Sequence, residues 1–394
     1  MNPASIVCWA VAAPILPVFG VFLSETLLGL ARAPARQNGT AKSVDTVALM
    51  PAHNEEAGIA RTIAAFHSVA PEGMRLLVVA DNCSDRTAAV AREAGAEVAE
   101  RNDPERRGKG YALAFGRDHL RASPPECVIV LDADCVAAPD TLGTLANEAV
   151  SANRPAQANY LMESRGETPP LVEISNFAFL VKNLIRQRGA ARIGAPALLT
   201  GTGMAFPWPV FAEASLASGD IVEDLALGIE LTRKDRAPRF IEQARVTSEA
   251  ASARDTITQR TRWEHGFIKT ARTHGLPLIG EGIVEGRWPL FWMGLHLLVP
   301  PLALLFALGL ALAAALLLAG WLTDAGYGPA FAVSAMLGLS GAAVFLAWLR
   351  EGRAVLGFAT LLRVPLYILW KIPVYLRLVR GAETQWVRTN RKGE

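Results

Sequence analysis

The feature that most constrains the fold is an alternation of short apolar runs, polar loops and helical patterns, which occurs three times in the first half of the chain. Residues 44–50, 76–80 and 128–131 form the apolar runs. Helical patterns follow at about residues 56–68, up to residue 94, and from about residue 140. Strands that alternate with helices predict an α/β domain with a mostly parallel sheet and helices on both faces.

Both ends of the chain contain apolar segments that are long enough to lie in a membrane. Residues 4–30 carry Glu25 as their only charge, and a helix rising about 1.5 Å per residue over that length crosses a hydrocarbon core of about 30 Å. A cleaved signal peptide is the competing interpretation, but no basic segment precedes the run, which is also longer than usual. We therefore expect a retained transmembrane helix over residues 1–31.

The C-terminal third predicts a transmembrane helical hairpin followed by a different kind of segment. The apolar runs 289–322 and 329–349 are separated by a short Gly-containing connection, which indicates a hairpin over residues 289–349. Residues 354–379 are interrupted by charges and prolines, and charge is costly at a bilayer centre. For residues 350–394 we therefore expect an interfacial or re-entrant helix and a basic tail.

Clusters of Lys and Arg predict the orientation of these segments. Basic residues follow the first helix, the hairpin and the last apolar segment, at positions 32, 36 and 42, at 350 and 353, and at 388, 391 and 392. Because Lys and Arg favour the cytoplasmic side, all of these ends are predicted to be cytoplasmic. The prediction is a multi-pass protein of the cell inner (plasma) membrane, with a linker at residues 32–43 and a cytoplasmic catalytic domain at residues 44–288.

Composition argues against a nucleic-acid partner, and the cysteine pattern indicates a reducing compartment. The net charge is only +2, and no basic stripe interleaved with aromatic residues is present, so we expect no nucleic-acid partner. The four cysteines, which form no Cys-x-x-Cys pair and no zinc-ligand pattern, are Cys8, Cys83, Cys127 and Cys135. We predict that they are free thiols.

Polar clusters follow the three predicted strands, at residues 53–55, 81–85 and 132–134. Ligands of open α/β sheets bind at the carboxyl ends of the strands, so these clusters predict one shared site. Asp132 and Asp134 have the chemistry to bind a hard cation that bridges a diphosphate, or else they form a polar turn. Asp81 is placed to accept hydrogen bonds from a base or a ribose, unless its loop serves only to let Asp85 cap the next helix.

Two further segments carry charges that suit the same chemistry. Lys109 lies in the segment Arg-Gly-Lys-Gly, where Gly permits close approach to a phosphate and Lys supplies a positive charge; a Gly-rich turn before a helix explains it equally well. Glu223 and Asp224 precede an apolar pattern that fits either a strand or the start of a helix. An acid there suits a general base for an acceptor hydroxyl, or an acidic pair at a helix N-terminus.

The segment Gln259-Arg-Thr-Arg262-Trp263 is predicted to be helical, with Gln259 and Trp263 on one face. One arginine is suited to meet a diphosphate while the Trp263 ring presents a flat wall to a sugar. The other interpretation, compatible with the first, is an amphipathic helix at a membrane surface with a buried tryptophan.

The order of these motifs resembles that of the membrane-bound family 2 glycosyltransferases, such as cellulose, hyaluronan and poly-N-acetylglucosamine synthases and ceramide glucosyltransferases. The resemblance covers about residues 44–275. The motifs that carry it are Pro51-Ala-His53-Asn54-Glu55, Asp81, Asp132-Ala-Asp134, Glu223-Asp224 and Gln259-x-x-Arg262-Trp263.

The resemblance implies a GT-A type domain and an inverting transfer from a UDP-sugar, with Mg or Mn as the metal ion. By position, the donor would contact Pro51, His53, Asn54, Glu55, Asp81, Lys109 and Asp132, with Asp81 at the uracil. Asp134, together with Asp132, would hold the metal, and Asp224 beside Glu223 would deprotonate the acceptor. Gln259, Arg262 and Trp263 would hold the diphosphate and the acceptor terminus, next to Gly201 and Thr202 in the acceptor loop.

The chain departs from the polymer-secreting relatives in two respects. Its acceptor loop, Thr200-Gly-Thr-Gly203, lacks the Cys that many of them carry. About three membrane helices are too few to enclose a polar channel, because every lumen-facing group would need a partner. We therefore expect a lipid, lipid-linked or growing polysaccharide acceptor at the cytosolic face, in glycolipid or exopolysaccharide synthesis. The alternatives are a processive synthase with partner export subunits and an inactive scaffold subunit.

Overall fold

The computed structural model describes residues 2–31, 43–163, 168–217, 222–249 and 253–380. Within these residues the chain forms two compact units. We call them the helical unit, with residues 2–31, 168–193 and 260–380, and the sheet unit, with residues 43–163, 194–217, 222–249 and 253–259. The segment predicted as one catalytic domain, 44–288, thus contributes to both units.

One sheet of eight strands organises the described part of the sheet unit. The strands are β1 (Thr46–Ala52), β2 (Arg75–Asp81), β3 (Glu97–Arg101), β4 (Cys127–Val130), β5 (Cys135–Ala137), β6 (Ala156–Glu163), β7 (Met204–Pro207) and β8 (Arg239–Glu249). Their order across the sheet is β3-β2-β1-β4-β7-β6-β8-β5. Four of the seven neighbouring pairs are parallel, which confirms a mostly parallel sheet.

The helices alternate with the strands in the sheet unit and follow one another in the helical unit. They are α1 (Pro3–Ala12), α2 (Ile15–Gly29), α3 (Ile59–Val69), α4 (Thr87–Glu93), α5 (Lys109–Leu120), α6 (Thr141–Ala152), α7 (Pro170–Leu180), α8 (Gln187–Arg192), α9 (Trp208–Ala212), α10 (Glu223–Arg233), α11 (Ala253–Val284), α12 (Trp288–Leu298), α13 (Leu302–Leu322), α14 (Gly328–Ala347), α15 (Phe358–Leu361) and α16 (Val364–Arg380). Two π-helical segments, π1 (Val181–Arg186) and π2 (Trp348–Gly352), continue α7 and α14.

Burial of both sheet faces explains why the central strands are continuous apolar runs in the sequence. Val47 and Leu49 of β1 belong to a buried cluster that also contains side chains of α5 and α10. Because successive side chains of a strand point to opposite faces, Ala48 and Met50 lie on the other face, and both are also fully buried. Burial on both faces removes the polar alternation of a half-exposed strand. The three predicted βα units are thereby confirmed.

Helices that are long and apolar enough to cross a membrane occur three times in the described chain, at Pro3–Gly29, Leu302–Leu322 and Gly328–Gly352. The predicted run 289–322 is not one helix, since α12 ends at Leu298 and α13 begins at Leu302. Pro300 and Pro301 lie between them, and proline disfavours the helical conformation in the residue before it. The hairpin therefore consists of α13 and α14, while α12 is a separate helix.

Candidate active site

The loops after β1 and β2 are joined by hydrogen bonds at the carboxyl edge of the sheet. The Nδ1 atom of His53 lies 2.7 Å from the carbonyl oxygen of Asp81. The Asn54 side-chain oxygen accepts from the backbone N–H of Ser84 at 2.7 Å, and the N–H of Glu55 donates to Thr87 Oγ1 at 2.7 Å. The predicted donor residues 53–55 therefore form one structure with the loop that begins at Asp81.

Pro51 and Asp81 lie at the ends of the two neighbouring strands, and Asp81 is held by an arginine that the sequence analysis did not identify. Arg101 Nη1 donates to Asp81 Oδ1 at 2.6 Å, and the Asn82 side-chain amide donates to the same oxygen at 3.0 Å. A second Arg101 nitrogen, Nη2, donates to Asp103 at 3.0 Å. Arg101 is the last residue of β3. This strand is short and has no clear apolar pattern, so neither the strand nor the role of Arg101 was predicted from the sequence.

The Asp132-Ala-Asp134 segment follows β4 and is fixed from two sides. The backbone N–H of Asp132 donates to Thr202 Oγ1 at 3.1 Å. The Lys109 ammonium group donates to Asp132 Oδ1 and, at 2.7 Å, to the carbonyl oxygen of Gly201. Hydrogen bonds thus connect Lys109, which is predicted to bind the sugar donor, with Asp132, a predicted metal ligand. Both residues are also hydrogen-bonded to the predicted acceptor loop.

Asp132 and Asp134 fit the binding of a hard divalent cation. Their carboxylate oxygens and the Cys135 thiol lie within 4.8 Å of one another. Burial, followed by the charge of the Asp134 carboxylate, raises the pKa of the Cys135 thiol well above its ordinary value. The thiol is therefore neutral, and the oxygen ligands that Mg and Mn prefer come from the two aspartates.

Lys109, the first residue of α5, is surrounded by three acids from two segments. Burial alone would lower the pKa of Lys109, but the carboxylates of Asp132, Glu223 and Asp224 raise it above its ordinary value. Burial and the adjacent Asp224 charge raise the pKa of Glu223 to about 8. Both acids lie in the first turn of α10, so this segment is a helix. The site therefore contains one permanently charged side chain, Lys109, close to three carboxyl groups.

Gly201 separates Lys109 from Asp224. Its φ of +85° lies in the left-handed region, which favours glycine. A Cβ atom at this position would lie 3.4 Å from Lys109 Nζ and 3.5 Å from Asp224 Oδ2. The absence of a side chain thus leaves open the space between the ammonium group and the carboxylate.

Gln157 of β6 holds the acceptor loop and was not identified from the sequence. Its Oε1 atom accepts from the backbone N–H of Thr200 at 3.0 Å, and its Nε2 atom donates to the carbonyl oxygen of Thr202 at 3.0 Å. Gln157 is fully buried, and buried amides need such partners. The only sequence signal was a polar residue within an otherwise strand-like segment.

Gln259, Arg262 and Trp263 lie on α11, as the sequence predicted. Gln259 belongs to the sheet unit, and Arg262 and Trp263 belong to the helical unit. The Trp263 ring stacks on Phe179 with ring centroids 6.1 Å apart. The residues brought together in the sheet unit are therefore Lys109, Asp132, Gly201, Glu223 and Asp224, and the roles assigned to the α11 residues stay predictions.

Two family models match the chain. The model for glycosyl transferase family 2 matches residues 47–170. The model for glycosyl transferase family group 2 matches residues 127–345, which is more than half of the chain. The first match contains the loops after β1, β2 and β4, and the second contains α10, α11 and most of the helical hairpin.

Individual relatives show partial similarity. The low-salt glycan biosynthesis hexosyltransferase Agl6 of Haloferax volcanii is 35% identical over 146 residues, which are 34% of this chain and 33% of the relative. The match thus spans about a third of that protein. A solved mannosyltransferase, PcManGT from Pyrobaculum calidifontis in complex with GDP-Man and Mn2+, has a TM-score of 0.53 at 18% identity and covers 94% of this chain and 99% of its own. A glucosyl-3-phosphoglycerate synthase structure from Mycobacterium tuberculosis has a TM-score of 0.38 at 21% identity and covers 55% and 77%. The likeness to PcManGT shows a shared fold, of the GT-A kind.

Proposed function

Because this chain belongs to the glycosyl transferase family group 2, we propose that it transfers a sugar from a UDP-sugar to a lipid or lipid-linked acceptor. The observation that carries the proposal is the meeting of Lys109, Asp132, Gly201 and Asp224 around one space in the sheet unit. Sugar transfer needs a positive group for the departing diphosphate and a base for the attacking hydroxyl. Lys109 supplies the positive group and Asp224 supplies the base, and both residues border this space.

Asp224 is the general base in this proposal, and Lys109 stabilises the diphosphate. Asp224 Oδ1 accepts a hydrogen bond from the N–H of Leu225 at 2.8 Å, which helps to hold the carboxylate in position. Lys109 keeps its charge, and the glycine between the two groups admits the reacting atoms. Positioning and electrostatic stabilisation of this kind supply much of the rate of a displacement reaction.

The donor nucleotide is assigned to the edge formed by Pro51, His53, Asn54, Glu55 and Asp81, with Asp81 held in place by Arg101. Asp132 and Asp134 are assigned to Mg or Mn, which when bound neutralises charge on the donor diphosphate. The Mn2+ in the PcManGT complex belongs to that protein and supports the choice of metal for this chain. Gln259, Arg262 and Trp263 are assigned to the diphosphate and the acceptor.

The three apolar helices of the described chain support integration into the inner membrane, with the sheet unit in the cytoplasm. Basic clusters after the first helix and after the hairpin support this orientation. These three candidate membrane helices are too few to enclose a polar channel. An acceptor held in the membrane therefore fits the chain better than secretion of a polymer without partner subunits.

The test is nucleotide release by the detergent-purified chain with Mg, Mn or EDTA. UDP-glucose, UDP-N-acetylglucosamine, UDP-galactose, UDP-glucuronate and GDP-mannose are offered separately, with or without a membrane lipid extract. We expect metal-dependent release from one UDP-sugar that requires the lipid and yields a glycosylated lipid. Asp224→Asn, measured in parallel, controls for contaminating hydrolases.

Other outcomes select the alternative functions. Release without lipid, accompanied by a product of high molecular weight, would indicate a polysaccharide synthase that relies on partner export subunits. Release from GDP-mannose alone would overturn the choice of UDP. The absence of both turnover and binding with every donor would favour an inactive scaffold subunit.

A further inference from the structure

The Asp81 carboxylate, assigned above to the donor nucleotide, receives two hydrogen bonds on the same oxygen. Arg101 Nη1 donates to Oδ1 at 2.6 Å, and the Asn82 amide Nδ2 donates to it at 3.0 Å. Within the residues that the structure describes, no hydrogen bond reaches the other oxygen, Oδ2. The carboxylate thus keeps one oxygen for a ligand, and this oxygen acts only as an acceptor.

The Asn82 side chain is fixed with its NH2 group toward Asp81. Its side-chain oxygen accepts the backbone N–H of Asp103 at 2.8 Å. A backbone N–H only donates, so the amide cannot exchange its oxygen and nitrogen without losing this bond. The Asn82 backbone is fixed as well, because its N–H donates to the carbonyl oxygen of Arg101 at 2.7 Å. Asn82 therefore meets Asp81 as a donor.

Arg101 is held in place by several partners at once. Its Nη2 atom donates to Asp103 Oδ2 at 3.0 Å and to the carbonyl oxygen of Arg106 at 2.8 Å. The guanidinium carbon lies 5.6 Å from the centroid of the Tyr111 ring, and the side chain is only 9% exposed. A guanidinium group has donors only and keeps its charge. The Oδ1 position of Asp81 is therefore surrounded by donors whose direction is settled.

A single acceptor oxygen matches one nucleobase better than the others. The hydrogen-bonding edge of uracil presents one N–H, at N3, between two carbonyl groups. Cytosine has no hydrogen on N3, so a lone pair would face the carboxylate oxygen. Guanine presents two adjacent N–H donors, and one of them would lack an acceptor because Oδ1 is already occupied. A site of this kind rejects bases that leave a buried polar group without a partner.

We propose that Arg101 and Asn82 select uracil by occupying Oδ1 of Asp81, so that only Oδ2 meets the base. Arg101 is a positioning residue in this proposal, since it acts through Asp81. The inference rests on the proposed transfer from a UDP-sugar. Its test measures nucleotide binding without an acceptor, and therefore does not depend on turnover.

The experiment is a calorimetric titration of the full-length chain in detergent and Mg with UDP, CDP, GDP and inorganic pyrophosphate. UDP and CDP have the same size and the same diphosphate, and differ only at positions 3 and 4 of the base. We expect UDP to bind at least about tenfold more tightly than CDP or GDP. Arg101→Gln should reduce the preference for UDP over CDP to about threefold or less. Pyrophosphate, which has no base, should bind this variant within about twofold of the unmodified chain.

Asp81→Asn gives a second test that does not require changing Arg101. Because Arg101 and Asn82 only donate, the new amide should place its oxygen at the Oδ1 position and its NH2 group at the Oδ2 position. An NH2 group donates to N3 of cytosine but meets the N–H of uracil as a second donor. The preference should therefore invert, with CDP binding at least about threefold more tightly than UDP.

The matched control is Arg92→Gln, which removes a half-exposed arginine that pairs with Glu100, the residue before Arg101 on β3. This variant should keep the preference for UDP over CDP. Thermal unfolding midpoints establish that each variant is folded, and Asp81→Asn carries the test alone if Arg101→Gln does not fold.

The outcomes separate this inference from the proposed function. Preferential UDP binding with an unchanged UDP to CDP ratio in Arg101→Gln, or without inversion in Asp81→Asn, would overturn the role of Arg101 and leave the UDP-sugar donor in place. Equal loss of UDP and pyrophosphate binding in Arg101→Gln would reduce Arg101 to a structural role and overturn the inference as well. Preferential binding of GDP by the unmodified chain would instead overturn the choice of UDP, and the selection of uracil with it.

Discussion

Glu223 and Asp224 are adjacent in the sequence, yet their surroundings give them different chemistry. Burial and the Asp224 charge raise the pKa of Glu223 to about 8, so Glu223 is largely protonated near neutral pH. Asp224 accepts a hydrogen bond from the backbone N–H of Leu225, and its Oδ2 atom lies close to Gly201. A carboxyl group that is already protonated cannot take a proton from an acceptor hydroxyl, so we assign the base to Asp224 rather than to Glu223.

Replacing Asp224 with Asn is expected to lower kcat by about 10²–10⁴-fold, the usual contribution of a positioned base. Donor affinity should stay within about twofold, because the amide keeps the size of the carboxylate. Calorimetric donor titration and steady-state turnover measure the two effects separately. Glu223→Gln is the matched control and should retain more activity, since it resembles the protonated acid. Loss of donor binding together with turnover in Asp224→Asn would refute the base assignment.

The raised pKa of Glu223 also predicts a pH dependence of stability in metal-free protein. Between about 4.5, the ordinary value, and about 8, the folded state holds a proton that the unfolded state releases. Stability is therefore expected to fall as the pH rises through this window. Thermal unfolding in EDTA, compared between the unmodified chain and Glu223→Gln, measures the effect. The variant should show the shallower slope, and identical slopes would contradict the pKa assignment.

At the scale of elements, the short loop between Thr200 and Gly203 connects the site to the sheet. Gln157 of β6 holds two of its backbone groups, and Thr202 accepts the N–H of Asp132. The loop thereby sets the position of Gly201 relative to α5 and α10. A change confined to this loop should alter the reaction without unfolding the sheet unit.

Gly201→Ala tests this dependence, and Gly73→Ala is its matched control. Both glycines have similar φ angles, +85° and +81°, so both substitutions should cost about 1–2 kcal/mol of backbone strain. A Cβ at Gly73 meets nothing within 4 Å, whereas one at Gly201 lies beside Lys109 and Asp224. We expect similar shifts in unfolding temperature, but an activity loss of at least about tenfold for Gly201→Ala alone. Equal activities of the two variants would show that the space at Gly201 is not used.

At the scale of the whole molecule, Glu25 joins distant parts of the helical unit. Its carboxylate accepts from Arg186 Nε at 2.8 Å and from Trp292 Nε1 at 2.9 Å, and lies 2.7 Å from His296 Nδ1. These partners come from π1 and α12, while Glu25 is on α2. The only charge in the first apolar segment is thus an internal link, which accounts for its presence in a candidate membrane helix.

Glu25→Gln is expected to destabilise the chain by about 3–5 kcal/mol, because it leaves the buried Arg186 without its compensating charge. The control is Glu285→Gln, which removes an exposed partner of Arg287 at 3.0 Å. Exposed pairs of this kind contribute about 0–1 kcal/mol. Thermal unfolding in a single detergent compares the two variants, and equal midpoints would show that the Glu25 link contributes little.

Local information was sufficient for several elements. The β-favouring runs before Pro51, Asp81 and Asp132 predicted three buried strands, and the structure confirms them. Backbone preference and apolar periodicity act over a few residues, so they can be read from a single segment. The same locality placed the polar clusters at strand ends. It could not decide whether Glu223 and Asp224 begin a strand or a helix, because the following apolar residues fit both.

Long-range pairing was decided only by the tertiary structure. Asp81 meets Arg101 twenty residues later, Lys109 meets Gly201 after 92 residues, and Glu25 meets Arg186 after 161. No local pattern encodes such pairs, because each exists only once the sheet and the helices have packed. Gln157 likewise acquires its role from the loop that folds against it. The sequence by itself therefore determined three of the strands, the apolar segments and the residue types of the site, whereas packing decided the remaining strands and which of those residues meet.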